Sequence, residues 1–454
     1  MKSLGVRLSD VRRRLSKGET RVRIVESTVW TLCERFVALL LSWGVSVVVA
    51  NYLGVDAFGQ LLFAVALVTL FTTLVTAGLS GVVVRDLVRF VGERHEILGT
   101  VFVIRLAAAA ISVIALLATT LLIPNTEAST RILVAIVALG LFFNATDVIA
   151  FWFQSETRLR YVSLANIGGT VVGAITRLSL VLAGGSLVHF AWAVVVEQGV
   201  IALLRVVMYR KAVGPIAVWT YRPARAWAYL RQSWPLMLSG VAGTINLRVD
   251  QVMLGALLNS AAVGTYGIAA RLSEIWYFVP TAIGNAVFPA IIRAEEQSET
   301  LYRRRLQQLY GAFAWGAVAV AVLVTLAGPP LIRLLYDEEF AGASAVLVVH
   351  VWSAPFLFMG VILSKWLIIE ELLLTSLVRH GFGASLNVAL NFVLIPAHGP
   401  VGSAVATLVS YAAATYGACF LSRRTWPAAI DMTLGLTWPI RIAFSTARRY
   451  LRNS

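Results

Sequence analysis

The chain has 454 residues, of which 59% are hydrophobic and only 13% charged, with a mean hydropathy of +0.80. Soluble proteins carry about 25% charged and about 45–50% apolar residues, so these proportions exclude a water-soluble multidomain enzyme and describe an integral membrane protein. The net charge of +15 would point to nucleic acid in a soluble protein. Lysine and arginine also accumulate in the cytoplasmic loops of membrane proteins, which accounts for the excess with no nucleic acid as partner.

A basic segment, residues 1–26, opens the chain. The apolar run from Ser27 to about Leu53 has no small-residue cleavage pattern and is too long for a signal-peptide core, so it reads as a retained span. Further apolar runs follow at 58–82, 97–123, 131–153, 162–183, 187–209, 233–258, 263–291, 307–328, 342–369, 375–395 and 400–421. With about 20 apolar residues needed per crossing, this makes twelve spans. Pro235, Pro280, Pro289 and Pro355 fall inside them, as spanning helices allow when neighbours satisfy the freed carbonyls. Cys33 and Cys419 lie in apolar stretches without CxxC spacing and read as packing residues.

Alternate loops differ sharply in basic residues. One side collects the N-terminal cluster from Lys2 to Arg23, Arg85, Arg89, Arg94, Arg158, Arg160, Arg210, Lys211, Arg222, Arg225, Arg231, Arg293, Arg303, Arg304, Arg305 and the tail from Arg423 to Arg452, against Arg131 and Arg333 on the other. By the positive-inside rule both termini are cytoplasmic. The resulting domain organisation is an N-lobe of six spans (27–209), a cytoplasmic linker (210–231), a C-lobe of six spans (232–421) and a basic cytoplasmic tail (422–454). The longest outer loop, Pro329 to Ala341, carries Asp337, Glu338 and Glu339 at its tip. Leu434 to Tyr450 mixes apolar residues with arginine, and reads either as lying along the inner membrane surface or as a disordered basic tail.

The halves echo each other. Leu53-Gly54-Val55-Asp56-Ala57-Phe58-Gly59 follows the first span, and Leu257 to Tyr266, with Gly264, follows the seventh. A six-span repeat keeps its orientation, giving an all-α membrane protein of twelve transmembrane helices in two pseudo-symmetric six-helix lobes, the plan of a transporter with a cavity between its halves.

Charges at bilayer depth cost about 2.5–3.5 kcal/mol on insertion scales, yet the spans hold Glu34, Arg35, Arg105, Asp147, Arg177, Glu197, Arg248, Asp250, Arg271, Glu274 and Lys365. Glu34, Arg35, Arg105, Asp147 and Lys365 lie nearer the cytoplasmic face, within snorkelling reach. For the rest two readings stand. Arg271 and Glu274, spaced i, i+3, pair along one helix and the charges neutralise one another; or Arg177, Arg248 and Arg271 face a lumen as a cationic site. Arg248 and Asp250, spaced i, i+2, do not face each other, so at least one needs a partner on another helix, in water or in a ligand. Among the aromatic residues, Trp152 and Trp234 read as interfacial anchors, while Trp276 and Tyr277, just inward of Glu274, are either anchors or stacking platforms for sugar rings. No Walker A loop, Gly-x-Ser-x-Gly elbow, His-Glu-x-x-His or metal-ligand cluster occurs, so neither catalytic residues, a metal nor a cofactor are expected.

Asn246-Leu247-Arg248-Val249-Asp250-Gln251-Val252-Met253-Leu254-Gly255, Val263-Gly264-Thr265-Tyr266, Ala270-Arg271-Leu272-Ser273-Glu274, Pro280-Thr281-Ala282-Ile283 and Phe288-Pro289-Ala290-Ile291 together resemble the bacterial polysaccharide transporter family. Its members are the O-antigen and capsule repeat-unit flippases of the MATE-like multidrug/oligosaccharidyl-lipid/polysaccharide exporter superfamily. Tyr52 to Gly59, Asp147 to Gln154, Ser364-Lys365-Trp366-Leu367-Ile368 and Leu386-Asn387 to Pro396 are similar to that family's patterns too, whereas Glu370-Glu371-Leu372 departs from them. The resemblance implies a V-shaped MATE-like pair of lobes that open alternately. It also implies a polyprenyl-pyrophosphate-linked oligosaccharide as cargo, moved from the inner to the outer leaflet of the bacterial cytoplasmic (inner) membrane, with polysaccharide polymerase machinery and membrane lipid as partners. On that footing Arg248 and Arg271, with Arg177 from the other lobe, meet the pyrophosphate or acidic sugars. Glu197, Asp250 and Glu274 hold those cations or take up H+ or Na+ for coupling. The rival readings are a MATE-type cation-coupled drug exporter, a major-facilitator carrier, and a membrane-embedded polymerase or glycosyltransferase; the first favours an acidic lumen and the last needs larger outer loops than this chain has.

Overall fold

The structure is a computed structural model that describes residues 2–76, 78–123 and 127–437, with the side chains of residues 2–25 and 373 outside the description. Among the described residues the regular structure is helix and no strand occurs. A backbone in hydrocarbon has no water to bond, so every N–H and C=O must be satisfied within its own segment, which a helix does.

The main helices are α1 (Lys2–Thr76), α2 (Ser80–Arg89), α3 (Arg94–Leu122), α4 (Ala128–Ala138), α5 (Gly140–Phe143), α6 (Asp147–Ser155), α7 (Leu159–Leu182), α8 (Leu187–Ala212), α9 (Pro223–Leu257), α10 (Ser260–Glu274), α11 (Phe278–Gln297), α12 (Glu299–Leu335), α13 (Ala343–His350), α14 (Ala354–Ile369), α15 (Leu373–Thr415) and α16 (Trp426–Leu436). Nine helical stretches among the described residues are long and apolar enough to cross a membrane. Two of these stretches each contain two of the expected spans. Glu26–Arg89 is broken at Gly54 (φ 75°) and Leu374–Phe420 at Gly399 (φ 59°), both in the left-handed region that glycine enters at no steric cost. The seventh expected span lies in α9, a 35-residue helix that carries Arg231, Arg248 and Asp250 and is not among the nine. The described residues of the expected spans are thus largely helical, and the protein is an all-α, multi-pass membrane protein.

The chain divides into two compact units: Met1–Tyr52 with Leu67–Gly240, and Leu53–Ala66 with Val241–Ser454. The first unit has a core of Leu79, Val83, Leu87, Ile97, Val101, Trp152 and Tyr209. The segment after α8 is strapped onto it. Trp219 Nε1 donates to the Tyr209 hydroxyl (3.2 Å), Thr220 N–H donates to the His95 carbonyl (3.3 Å), and Arg225 holds Glu96 at 2.7 Å. Burial alone would lower the pKa of Arg225, but hydrogen bonds with Glu93, Tyr229 and Glu96 raise it beyond its ordinary value.

The second unit packs around Tyr310, Ala314, Met359, Ile362, Leu363 and Met432. Here the two echoed segments meet. A Cβ on Gly59 would fall 1.8 Å from the Ser260 carbonyl oxygen, and one on Gly264 2.4 Å from that of Val55. Backbones approach this closely only where side chains are absent, the usual device for packing helices in a membrane. Helix α16 closes this unit, with Trp315 Nε1 donating to the Leu436 carbonyl at 3.0 Å. The expectation for Leu434 to Tyr450 lies, beyond Thr437, outside the described residues.

Candidate functional site

Two prolines shape the site in the second unit. Pro280 cannot donate to the Trp276 carbonyl, nor Pro355 to that of Val351. Just before each, the helix tightens into a 3-10 turn, Ile275–Tyr277 and Val351–Ser353, a form that recurs where the α-helical ladder is interrupted. The two broken segments are stitched together. The hydroxyls of Tyr277 and Ser353 lie 3.0 Å apart, and His350 Nδ1 lies 2.9 Å from Ser273 Oγ. Glu274 ends α10 at this break, so its carboxylate sits where the ladder is relaxed.

Glu274 is held by Arg248 of α9. Both terminal guanidinium nitrogens donate, Nη1 to Oε1 at 3.2 Å and Nη2 to Oε2 at 3.1 Å. This is the parallel two-bond geometry that a planar guanidinium makes with any flat or tetrahedral oxyanion. The pair is partly open, with 29% of the Arg248 side chain and 18% of the Glu274 side chain exposed. Arg271 on α10 lies with its guanidinium carbon 5.5 Å from the Phe58 ring centroid, within cation–π range. Trp276 and Tyr277 are partly buried and pack against the core of this unit.

Asp250, two residues beyond Arg248, points elsewhere because successive helical positions advance by about 100°. It is 2% exposed, and the groups that hydrogen-bond to it are neutral. Tyr266 donates its hydroxyl proton to Oδ2 at 2.6 Å, Asn391 donates from Nδ2 to Oδ1 at 2.7 Å, and Thr407 donates its hydroxyl to Oδ2. Asn391 also donates to Asn387 Oδ1 at 2.9 Å. Nearby, Asn391 Oδ1, Asn387 Nδ2 and Ser403 Oγ are buried with no hydrogen-bond partner among the described residues. Buried polar groups are normally satisfied, so this cluster of oxygen and amide donors has capacity left over. Hard monovalent cations prefer such oxygen ligands.

The first unit arranges its charges differently. Arg177 on α7 pairs with Glu197 on α8 at 2.7 Å, both about one-fifth exposed. A second network ties five expected spans together. Arg105 donates to Asp147 at 2.9 Å and to the Asn144 carbonyl at 2.7 Å. Arg205 also donates to Asp147 and, at 3.0 Å, to Asn166, which donates to Glu34 at 2.6 Å. Arg105 is 2% exposed.

Sequence reasoning named Arg248, Glu274, Arg177, Glu197, Asp250 and Arg271, and the structure pairs the first two with each other and the next two with each other. It leaves Asp250 among Tyr266, Asn391 and Thr407, none of which was singled out as its partner. Arg205 and Arg379 were also passed over. Their position inside the apolar runs 187–209 and 375–395 was the signal that marks them. Asn387, Asn391 and Thr407 carry no charge, so hydropathy hides them.

A profile described as polysaccharide biosynthesis protein matches residues 24–295, and one described as MatE matches residues 235–393. The probable flippase AglR of Haloferax volcanii is 24% identical over 264 residues, covering 57% of this chain and 54% of that protein. The chain thus spans about half the length of this curated relative. Among solved structures, the lipid II flippase MurJ in an inward closed conformation has a TM-score of 0.67 at 13% identity, covering 94% of this chain and 100% of that one. An inward-facing multidrug resistance transporter of the MATE family has a TM-score of 0.65 at 15% identity, covering 93% and 99%. At such identities the structural likeness concerns the fold, which is MATE-like. Together with a profile that spans more than half of the chain, this places the protein in the polysaccharide biosynthesis protein family.

Proposed function

We propose that the protein is a flippase that carries a polyprenyl-pyrophosphate-linked oligosaccharide from the inner to the outer leaflet of a bacterial cytoplasmic membrane by alternating access, for synthesis of a cell-surface polysaccharide such as O-antigen, capsule or exopolysaccharide. Both termini are cytoplasmic in this reading, and the expected N-lobe and C-lobe are the moving parts. The family assignment and a relative named as a probable flippase support it.

The observation that carries the reading is the partly open, two-bond pair of Arg248 with Glu274. A pyrophosphate head group cannot enter hydrocarbon without replacing its hydration, and a guanidinium fork is the side chain best shaped to replace it. Because Glu274 occupies the same fork, an arriving phosphate displaces a carboxylate rather than water, and Arg248 is never left as a naked buried charge. Arg177, released from Glu197, and Arg271 serve the remaining phosphate oxygens or acidic sugars. Trp276 and Tyr277, in the turn after Glu274, offer rings to the sugars. A freed Glu274 takes up a proton, and Asp250, with its oxygen-rich surroundings, takes H+ or Na+ as the coupling ion. Polysaccharide polymerase machinery is the recipient of the cargo.

The test is Arg248→Ala expressed in a host that lacks its own flippase. Surface glycan should be lost and the lipid-linked intermediate should build up on the inner side, with protein levels in the membrane unchanged. Normal export with no intermediate would overturn the reading.

A further inference from the structure

His350, the last residue of α13, plays no part in that reading, although it is 3% exposed and lies in the midst of the site. The charged groups that act on it are Glu274, Asp250 and Arg248, which the reading assigns to cargo and coupling ion. Its ring stands edge-on to that of Tyr266, with centroids 5.7 Å apart and planes at 84°, and the Tyr266 hydroxyl is anchored on Asp250 at 2.6 Å. On its other contact, Nδ1 lies 2.9 Å from Ser273 Oγ. Ser273 is fully buried and immediately precedes Glu274. Tyr266 and Ser273 stand about two helical turns apart on α10, so they share the face that meets His350.

The place of Glu274 is not fixed by its own helix alone. Helix α10 ends at this residue, and Pro280 takes the donor from the Trp276 carbonyl just beyond it. A side-chain anchor in the last turn then decides where the carboxylate points. The contact of Tyr277 with Ser353 lies past the break, whereas Ser273 belongs to the turn that carries Glu274. We propose that His350 is a positioning residue: seated against Tyr266, it holds Ser273 and thereby sets how Glu274 meets the fork of Arg248. Functional side chains keep their geometry through neighbours whose own rotamers are locked by packing, and His350, Ser273 and Tyr266 are all buried. The consequence for cargo rests on the function proposed above. There Glu274 competes with a phosphate for one guanidinium, so a misplaced Glu274 competes less well. Cargo then binds more tightly, and the release that the returning carboxylate drives becomes slower.

The experiment uses the full-length protein in nanodiscs. A hydrophobic carbodiimide modifies free carboxyl groups and spares one engaged by a guanidinium, so its yield at Glu274, read by mass spectrometry, reports on the pair, with Asp147 of the first unit as internal control. His350→Phe keeps a ring against Tyr266 but loses Nδ1, and Ser273→Ala removes the hydroxyl. Both should raise labelling of Glu274 by about two- to tenfold, the range that one hydrogen bond supplies, and leave Asp147 as in the parent. His350→Asn, whose amide takes the place of Nδ1, should restore the parental labelling. Farnesyl pyrophosphate should bind His350→Phe more tightly by a similar factor while export of surface glycan falls, a combination that a damaged fold does not produce. Should His350→Phe not fold, Ser273→Ala decides. Parental labelling of Glu274 in Ser273→Ala, or labelling in His350→Asn as high as in a folded His350→Phe, would overturn the proposal. Raised labelling with unchanged affinity for farnesyl pyrophosphate would uphold the positioning role and instead sink the assignment of Arg248 to pyrophosphate.

Discussion

Asp147 in the first unit and Asp250 in the second are both carboxylates in apolar helices, and they are satisfied in opposite ways. Asp147 is gripped by two guanidiniums, those of Arg105 and Arg205. Asp250 is held by two hydroxyls and an amide, all neutral. The first arrangement compensates one carboxylate with two guanidiniums, so the cluster acts as a structural knot. The second satisfies the carboxylate's hydrogen bonds without an ion-pair partner, an arrangement suited to taking up a proton or a cation. The pair of Arg248 with Glu274 is intermediate: its charges cancel one to one, with 29% of the Arg248 side chain and 18% of the Glu274 side chain exposed, and in the proposed reading an outside anion competes there.

The contrast breaks most visibly at Asp147. Asp147→Asn leaves Arg105 and Arg205 without a counter-charge, and removing one partner of a buried pair costs about 3–5 kcal/mol. The thermal midpoint and the yield of folded protein should both fall; a variant that melts like the parent would show the network to be dispensable. Next in size is Arg248→Lys, which keeps the charge but loses the fork. Export in a flippase-deficient host should drop about tenfold, equivalent to about 1.4 kcal/mol, with folding unaffected, and unchanged export would mean that a point charge suffices. Tyr277→Phe removes the bond to Ser353 but keeps the ring. It should cost about 0.5–1.5 kcal/mol of stability and leave export intact, while Tyr277→Ala should impair export if the ring stacks on sugar. The smallest stability effect belongs to Asp250→Asn, below about 1 kcal/mol, because an amide can still accept from Tyr266 and Thr407. Its signature is instead functional: any dependence of export on a sodium or proton gradient should vanish, and a surviving dependence would move the coupling group elsewhere.

Much of this architecture was legible without coordinates. Apolar runs of sufficient length marked the stretches that are helical in the structure, and the residues from Asn246 to Ile291 carried the family likeness. The helix breaks at Gly54 and Gly399 fell between runs, where hydropathy drops. The partners of the intramembrane charges were a different matter. Glu274 stands three residues from Arg271, and local spacing made that neighbour the obvious candidate; the structure joins its carboxylate to Arg248, 26 positions away, with two hydrogen bonds. Asn391 and Thr407 reach Asp250 across 141 and 157 positions, and nothing in a single sequence couples residues so far apart.

What the amino-acid sequence determined by itself is the helical, membrane-embedded class of the protein and the presence of charges inside its apolar segments, because each follows from local composition measured against the thickness and polarity of a bilayer. The tertiary structure alone decided which charges pair, which pair stays partly open and which carboxylate is hydrogen-bonded by neutral donors. That outcome depends on which helix faces meet, and facing is set by packing between segments far apart in the chain, where a rotation of a single residue, about 100°, would hand every charge a different neighbour.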